Sequence, residues 1–209
     1  MVARAAPPRT DRRTLIAKAL YDCIAEQGYA NTTLADIAER AGMSPSHVGY
    51  YFDNKAAILE YYASRLYEQV GDRLPSVKEP DPDTLIESIA NFRFGERQVS
   101  TRFLGVIQEF SGLAVHDDQF HAIKSQHVSA WQKYFEALFE RLTPAAGLTA
   151  REAGSLAHAV AAGLDTNTLF DPKLKRDEAG RLFALALRML AAPHAGCTPA
   201  TDTAEGAKP

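Results

Sequence analysis

The sequence predicts an all-α protein of about nine helices. Apolar residues recur at three- and four-residue steps along most of the 209 residues, whereas no stretch shows the strict alternation of a half-buried strand. Glycines and prolines divide the chain into segments of helical length. We therefore expect helices at residues 11–27, 33–41, 45–52, 55–74, 84–94, 97–115, 118–142, 150–169 and 177–192.

The first and fourth predicted helices each show one apolar stripe. In the first helix Ile16, Leu20 and Ile24 share a face, and Gly28 ends the pattern. The stripe of the fourth helix consists of Ile58, Tyr62, Leu66 and Val70. Residues 75–83 follow and contain three prolines, so we expect this segment to be a linker.

The predicted helix at 118–142 carries the longest apolar face in the second half of the chain. Its apolar positions are Phe120, Ile123, Trp131, Phe135, Leu138 and Leu142. Asp117 and Asp118 can cap its start, and Pro144 can end it. Residues 193–209 have no periodicity, so we expect a disordered tail.

The composition is that of a globular protein. Hydrophobic residues make up 46% of the chain, which excludes a mostly disordered protein, and no apolar run approaches the roughly 20 residues of a membrane span. No apolar segment follows the basic N-terminus, so we expect no signal peptide. Cys23 lies in an apolar helical pattern, far from Cys197. We expect a cytoplasmic protein without a membrane segment.

Residues 32–55 contain two short predicted helices joined by a tight turn. Thr33 is a natural N-cap for the first helix, and Gly42 supplies the positive φ that the turn requires. Ser44 caps the second helix and Pro45 occupies its first turn, where a missing N–H costs nothing. Two helices joined by a short turn that contains glycine form a helix-turn-helix motif.

The second helix of this motif carries side chains suited to a DNA major groove. The outward positions at its start are short and polar: Ser44, Ser46 and His47. Pro45 offers an apolar edge to a thymine methyl group. Tyr50, Tyr51 and Lys55 can bind phosphates, which fix the register of a protein on DNA without reading its sequence.

Positive charge is concentrated at the N-terminus, although the whole chain has a net charge of −3. We hypothesise that Arg12 and Arg13 bind phosphates and so raise affinity for all DNA sequences alike. The second helix of the motif contains no arginine, so it lacks the usual bidentate contact to guanine. Specificity would then come from short polar contacts, His47 and DNA shape.

Residues 11–60 resemble the DNA-binding domain of TetR-family regulators. The resemblance rests on the turn glycine, the Ser-Pro-Ser start, the Tyr-Tyr pair, and the Phe and Lys that follow, all in family order. It implies DNA contacts by Thr33, Ser44, Pro45, Ser46, His47, Tyr50, Tyr51 and Lys55. The sequence departs from the family at Gly49, where an aromatic residue is frequent, and at Tyr51, where histidine is frequent.

From these observations we expect four segments. Residues 1–10 form a flexible basic arm, and residues 11–60 a three-helix helix-turn-helix DNA-binding domain. Residues 61–192 form a helical ligand-binding and dimerisation domain, and residues 193–209 the tail. The boundary lies near the end of the fourth helix or at the proline-rich linker.

The resemblance implies that helices five to eight enclose a ligand pocket and that the last two helices form the interface of a homodimer. The candidate pocket residues are Asn91, Phe92, Phe103, Gln108, Phe110, Trp131, Phe135, His158 and Asp165. The candidate interface residues are Leu156, Ala159, Gly163, Leu182, Phe183, Leu185, Ala186 and Met189. Residues 153–163 are rich in small side chains, which allow helices to approach closely.

The sequence therefore predicts a ligand-responsive transcriptional regulator that binds a palindromic operator in double-stranded DNA as a homodimer. Repression, relieved by a small-molecule effector, is the default in the family. We expect no enzyme activity and no cofactor or metal, because catalytic and phosphate-loop signatures are absent and the histidines near His121 have the wrong spacing for a shared face. Two alternatives stay open: a helical ligand-binding or enzyme subunit, and an architectural DNA binder without a ligand.

Overall fold

The computed structural model describes residues 11–95 and 101–192, and every regular element in these two ranges is a helix. The helices are α1 (Arg12–Gln27), α2 (Leu34–Arg40), α3 (Pro45–Tyr51), α4 (Lys55–Gly71), α5 (Pro82–Phe94), α6 (Thr101–Leu113), α7 (Asp118–Leu142), α8 (Ala150–Phe170) and α9 (Arg176–Leu190). The all-α prediction is thus confirmed for the described ranges. The expected arm (1–10), the expected tail (193–209) and residues 96–100 lie outside them.

Two helices begin with the same capping box. The Asp36 N–H donates to Thr33 Oγ1, and the Thr33 N–H donates to the Asp36 carboxylate, which confirms the predicted cap of α2. Thr149 and Glu152 repeat the arrangement at the start of α8. The hydrogen bonds from each threonine hold the pKa of both carboxyl groups below their ordinary values.

Helix α5 begins at Pro82, two residues earlier than the sequence predicts. The Asp81 carboxylate accepts a hydrogen bond of 2.8 Å from the Thr84 N–H, and Pro82 lies in the first turn, where its missing N–H costs nothing. Helix α4 ends at Gly71, three residues before its predicted end. Leu74 precedes Pro75, and the residue before a proline avoids the α conformation, so residue 74 does not continue the helix.

The described helices enclose two apolar cores. The first core joins α1–α4 to residues of α6 and α7, and its fully buried members include Ile16, Leu20, Ile37, Ile58 and Phe110. The second core lies between α5, α7, α8 and α9, and includes Leu85, Phe94, Phe135, Phe139 and Phe183. Because α6 and α7 complete the first core, residues 11–60 are packed firmly against the rest of the chain.

The small residues of α8 divide between its two faces. Ala153, Gly154, Ala157 and Ala161 are buried, and α7 lies against this face at close range. A Cβ atom added to Gly154 would lie 2.7 Å from the backbone nitrogen of Glu136, which is closer than real Cβ contacts. The contact between α7 and α8 therefore requires glycine at this position.

The close approach of α7 and α8 predicts that Gly154→Ala destabilises the protein. The clash with backbone exceeds the gain in helix propensity, so we expect the free energy of unfolding in urea to fall by about 1–2 kcal/mol. The control is Gly105→Ala in α6, where an added Cβ meets nothing within 4 Å. We expect this control to be as stable as the wild type or more stable; equal stability of all three proteins would refute the packing argument.

Candidate nucleic-acid interface and ligand cavity

Helix α3 is short, and interactions at its two ends hold it in place. Ser44 caps it by accepting a hydrogen bond from the His47 N–H at 3.2 Å, and Pro45 fills its first turn. Val48 and Phe52 are buried in the first core. Tyr51 is half-buried against the same core, and the remaining positions of the helix are exposed.

The outward face of α3 brings together the predicted polar and phenolic residues. Ser44, Ser46 and His47 are exposed, and the hydroxyl oxygens of the two serines lie 3.1 Å apart. The ring of Tyr51 lies beside those of His47 and Tyr50, with centroids 5.6 and 5.1 Å apart. Tyr50 is 80% exposed, so its ring contributes little to the folding of the monomer and is free to contact a partner.

Thr33 and Lys55, two further predicted DNA contacts, both have structural partners. The Thr33 hydroxyl belongs to the capping box of α2. The Lys55 ammonium donates to the carbonyl oxygens of Tyr29 and Thr32 at 2.6 and 2.8 Å, and lies over the Tyr29 ring. It thereby ties the start of α4 to the turn between α1 and α2, and burial lowers its pKa. A lysine has three donors, so one N–H is left for a phosphate.

Arg12 and Arg13 lie in the first turn of α1 and both are exposed. The Arg13 guanidinium lies over the rings of Phe52 and Tyr61, 4.6 and 5.0 Å from their centroids. Arg13 therefore packs against the end of α3 as well as presenting charge. Whether either arginine contacts phosphate stays a prediction.

A cavity of about 200 Å³ lies between α4, α5, α6, α7 and α8. Five of the nine residues predicted for a pocket line it: Phe92, Phe103, Trp131, His158 and Asp165. Further apolar lining comes from α4, α6 and α7, through Leu66, Val70, Leu104, Ile107 and Val128. The position between helices of a bundle is one where small-molecule sites are common.

The other four predicted pocket residues lie elsewhere, so these parts of the prediction were wrong for this cavity. Phe110 and Phe135 are fully buried in the first and second cores. Asn91 is exposed on another face of α5, because consecutive helical residues point about 100° apart. Gln108 faces α8 and donates to the Thr166 hydroxyl at 3.1 Å.

Five charged or aromatic residues of the cavity wall were not predicted from the sequence. These are Tyr67, Arg73, Arg93, Lys124 and His127. A signal was present, since Lys124 and His127 continue the face of α7 that holds Phe120 and Trp131 at three- and four-residue steps.

Asp165 lines the cavity and forms ion pairs with two arginines. Its side chain is 9% exposed and lies 2.5 Å from the Arg93 guanidinium and 3.2 Å from that of Arg176. Arg176 also donates to the Arg93 carbonyl oxygen at 2.6 Å. The Arg93 guanidinium lies over the Trp131 ring, 4.8 Å from its centroid. Burial lowers the pKa of Arg93, while Asp165 favours its charged form.

The two histidines of the cavity are neutral at physiological pH. Burial, followed by the charges of Lys124 and Arg93, lowers the pKa of His127 to about 3. Its Nε2 accepts a hydrogen bond from the Trp131 indole N–H at 3.2 Å, which requires the unprotonated nitrogen. Burial also lowers the pKa of His158. Arginine and lysine therefore supply the positive charge of the cavity.

An apolar face covers the outer side of α8 and α9, which we name the α8–α9 face. It contains the exposed residues Leu156, Ala159, Gly163, Leu182, Leu185 and Met189, with Ala186 half-buried. Leu185 is 52% exposed and Met189 72%. Phe183 was wrongly assigned to this face: it is fully buried and packs against Phe94 and Phe135, with ring centroids 5.4 and 5.9 Å apart.

Residues 11–95 and 101–192 contain neither a metal-binding cluster nor a helix that could span a membrane. Among these residues no group of three histidine, cysteine or acidic side chains is arranged to hold a metal ion. None of the helices there is both long and apolar enough to cross a membrane.

Comparisons with known proteins agree with this geometry. Residues 16–62 match the family of bacterial regulatory proteins called the tetR family. The HTH-type transcriptional regulator BetI of Serratia proteamaculans is 27% identical over 139 residues, which are 65% of this chain and 70% of that protein. BetI of Yersinia pestis is 27% identical over 157 residues, 73% of this chain and 76% of that protein.

Solved structures show the same fold over most of the chain. A TetR transcription regulator from Haloarcula marismortui has a TM-score of 0.76 at 20% identity, covering 87% of this chain and 99% of that one. A regulator from Saccharomonospora viridis, solved in complex with choline, has a TM-score of 0.76 at 16% identity, covering 87% and 98%. The matched residues 16–62 are those that build α3 and its supporting core. The match of residues 16–62, together with these relatives, indicates a DNA-binding transcriptional regulator of the TetR family.

Proposed function

We propose that the protein is a cytoplasmic repressor that binds a palindromic operator as a homodimer and leaves it when a small molecule fills the cavity. The observation that carries this proposal is that α4 and α6 each contact both the cavity and the helices that support α3. The two helices therefore connect a ligand site to a DNA-binding surface. The proposal includes a DNA-binding domain at residues 11–60, a ligand-binding and dimerisation domain at 61–192, the basic arm and the tail.

Helix α4 makes the first connection. At its start Lys55 binds the carbonyl oxygens of Tyr29 and Thr32 in the turn between α1 and α2. About three turns later Leu66 and Tyr67 line the cavity. A helix is stiff over this distance, so a shift at the cavity end moves the turn that precedes the helix-turn-helix motif.

Helix α6 makes the second connection. Phe103 and Ile107 line the cavity, whereas Arg102 and Glu109 face α1. The Glu109 carboxylate accepts a hydrogen bond of 2.7 Å from the Tyr29 N–H, and Arg102 donates to the Asp22 carbonyl at 3.1 Å. The same short turn is therefore held by α4 on one side and by α6 on the other.

Ligand binding releases DNA only if the ligand has different affinities for two arrangements of these helices. In a dimer the two copies of α3 must be about 34–36 Å apart, one turn of DNA, to enter successive major grooves. A ligand that separates α6 from α4 favours an arrangement with another spacing. We propose this population shift as the mechanism of release.

The proposed partner in the dimer is a second copy of this chain, bound through the α8–α9 face. Large apolar side chains such as Leu185 and Met189 are exposed there around the small residues Ala159 and Gly163. Small residues allow two helices to approach closely, and the leucines around them supply apolar area. A two-fold symmetric protein matches a palindromic operator.

On the operator, short polar groups and His47 would read bases, and phosphate contacts would supply much of the affinity. The proposed phosphate ligands are Tyr50, Lys55, Arg12 and the basic arm.

Choline is the ligand of one structural neighbour, and a choline-like effector is therefore a candidate for this chain. The positive charge of the cavity wall argues against it.

Removal of the Tyr50 side chain tests the DNA-binding surface. Random duplex DNA is first selected with the purified full-length protein, and we expect an enriched palindrome. Tyr50→Ala should weaken binding to it about tenfold or more, while stability changes by less than about 0.5 kcal/mol because the ring is exposed. Val115→Ala, at another exposed apolar position, is the control. No enriched sequence, or equal binding by all three proteins, would contradict the proposal.

Lys55 has two possible roles that one variant separates. Lys55→Met removes the bonds to Tyr29 and Thr32, so we expect the free energy of unfolding to fall by about 1–3 kcal/mol. If Lys55 also binds a phosphate, the slope of log affinity against log salt falls by about 1. Lys78→Met, at an exposed lysine of the linker, should change neither quantity. An unchanged stability would refute the structural role.

A charge on the α8–α9 face tests the dimer. Leu185→Glu places a carboxylate in the centre of the proposed interface, so light scattering should show a monomer and operator affinity should fall at least about tenfold. Val115→Glu introduces the same charge at an exposed apolar site away from that face and should leave a dimer. Circular dichroism checks that both variants are folded. A dimeric Leu185→Glu protein would place the interface elsewhere.

A further inference from the structure

The cavity contains more positive than negative charge among its described lining residues. Arg73, Arg93 and Lys124 line it, whereas Asp165 is its one carboxylate. Asp165 is already shared between Arg93 and Arg176, so it does not neutralise the wall. The two histidines add no charge, because burial keeps them unprotonated.

Lys124 is a half-buried cation of the cavity wall, whereas Arg73 is exposed to solvent. The Lys124 side chain lies on α7, and within the described residues its ammonium has no hydrogen bond and no ion pair within 4 Å. Burial, and then the nearby charge of Arg93, lowers its pKa. Asp165 acts on Lys124 only through space, since it forms its ion pairs with Arg93 and Arg176. A half-buried cation without an ion pair of its own is costly, and an anionic ligand would lower that cost.

Two aromatic rings of the wall, Trp131 and Tyr67, already have another group stacked on them. A quaternary ammonium group binds over the faces of aromatic rings. The face of Trp131 is already occupied by the Arg93 guanidinium, at 4.8 Å, and the Tyr67 ring is covered by His127, at 3.7 Å. A cationic ligand would meet two occupied rings and the charges of Arg93 and Lys124.

Two polar groups of the wall have unused hydrogen-bonding capacity. The Tyr67 hydroxyl and the Arg93 Nε–H are both buried without a partner in the described structure. Burial raises the pKa of Tyr67, so its hydroxyl stays protonated and is a donor. Both groups are hydrogen-bond donors, and an oxyanion can accept a hydrogen bond from each of them.

We propose that the cavity binds a small organic acid, with one carboxylate near Lys124 and Arg93 and an apolar body against Trp131, Phe92 and Ile107. This inference rests on the proposed function for its assignment of the cavity as the effector site. A cavity of about 200 Å³ is slightly larger than a cavity of ~150 Å³ that holds benzene. The apolar body is therefore about the size of one aromatic ring or a short alkyl chain.

The test compares ligands of one shape and different charge on the full-length wild-type protein. Benzoate and benzamide are nearly isosteric, phenylacetate and hexanoate vary the apolar body, and choline and benzyltrimethylammonium are the cations. Trp131 is the single tryptophan of the chain and lines the cavity, so its fluorescence reports binding. We expect saturable binding of at least one acid, and benzoate affinity at least about tenfold above that of benzamide. Thermal stabilisation provides the second measurement.

Variants locate the carboxylate. Lys124→Gln should weaken benzoate binding about tenfold and leave benzamide binding unchanged, whereas Lys124→Arg keeps the charge and should retain the preference. The matched control is Lys133→Gln, on the exposed side of the same helix. The wild-type comparison stands without any variant, so a misfolded Lys124→Gln protein does not prevent a result.

The outcomes separate the ligand class from the proposed function. Choline or benzamide binding as tightly as the acids, or no saturable binding of any acid at millimolar concentration, overturns the proposal while operator binding still supports the regulator. Acid binding that leaves the protein on its selected operator supports the ligand class and contradicts ligand-induced release. Acid binding with release supports both.

Discussion

The ion pairs of Asp165 connect three helices of the C-terminal part, and the cavity depends on them. Asp165 lies on α8, and its partners Arg93 and Arg176 lie at the end of α5 and the start of α9. Apolar residues of similar volume would pack these helices as tightly, since burial of charges is costly. The ion pairs instead fix their orientation, because a carboxylate between two guanidinium groups accepts only a narrow range of geometries. The same pairs direct the Arg93 guanidinium over Trp131 and so set both the charge and the aromatic surface that a ligand meets.

The connection between the two functional surfaces follows from the packing of α6. Its residues Val106 and Phe110 are buried in the core of the DNA-binding region, while Phe103 and Ile107 face the cavity. One helix therefore belongs to the apolar core on one side and lines the cavity on the other. Packed cores adopt discrete arrangements rather than deforming continuously, so a small displacement of α6 is transmitted to α1. The Glu109 carboxylate accepts a hydrogen bond from the Tyr29 N–H, and this bond fixes the position of α6 relative to the end of α1.

Local signals accounted for most of the helix bounds and for the helix-turn-helix motif. Thr33 with Asp36, and Ser44 with Pro45, act within four residues, and the structure shows their hydrogen bonds where the sequence predicts them. The cavity was predicted less well, because five of nine residues line it and the charged wall was missed. Apolar periodicity identifies the inner face of a helix but does not tell a residue in a packed core from one that lines a space. Phe110 and Phe135 illustrate this, as does Phe183 for the apolar outer face.

The sequence by itself determined the all-α class, the caps and turns, the exposed polar face of α3 and the resemblance to the TetR family. These depend on interactions between residues close in the chain, whose geometry the backbone fixes. Only the tertiary structure decided that Lys55 binds the turn before α2, that Asp165 has two arginine partners, and that Lys124 faces a cavity. Each of these depends on helices distant in sequence, and no periodic pattern specifies which side chains meet when such helices pack.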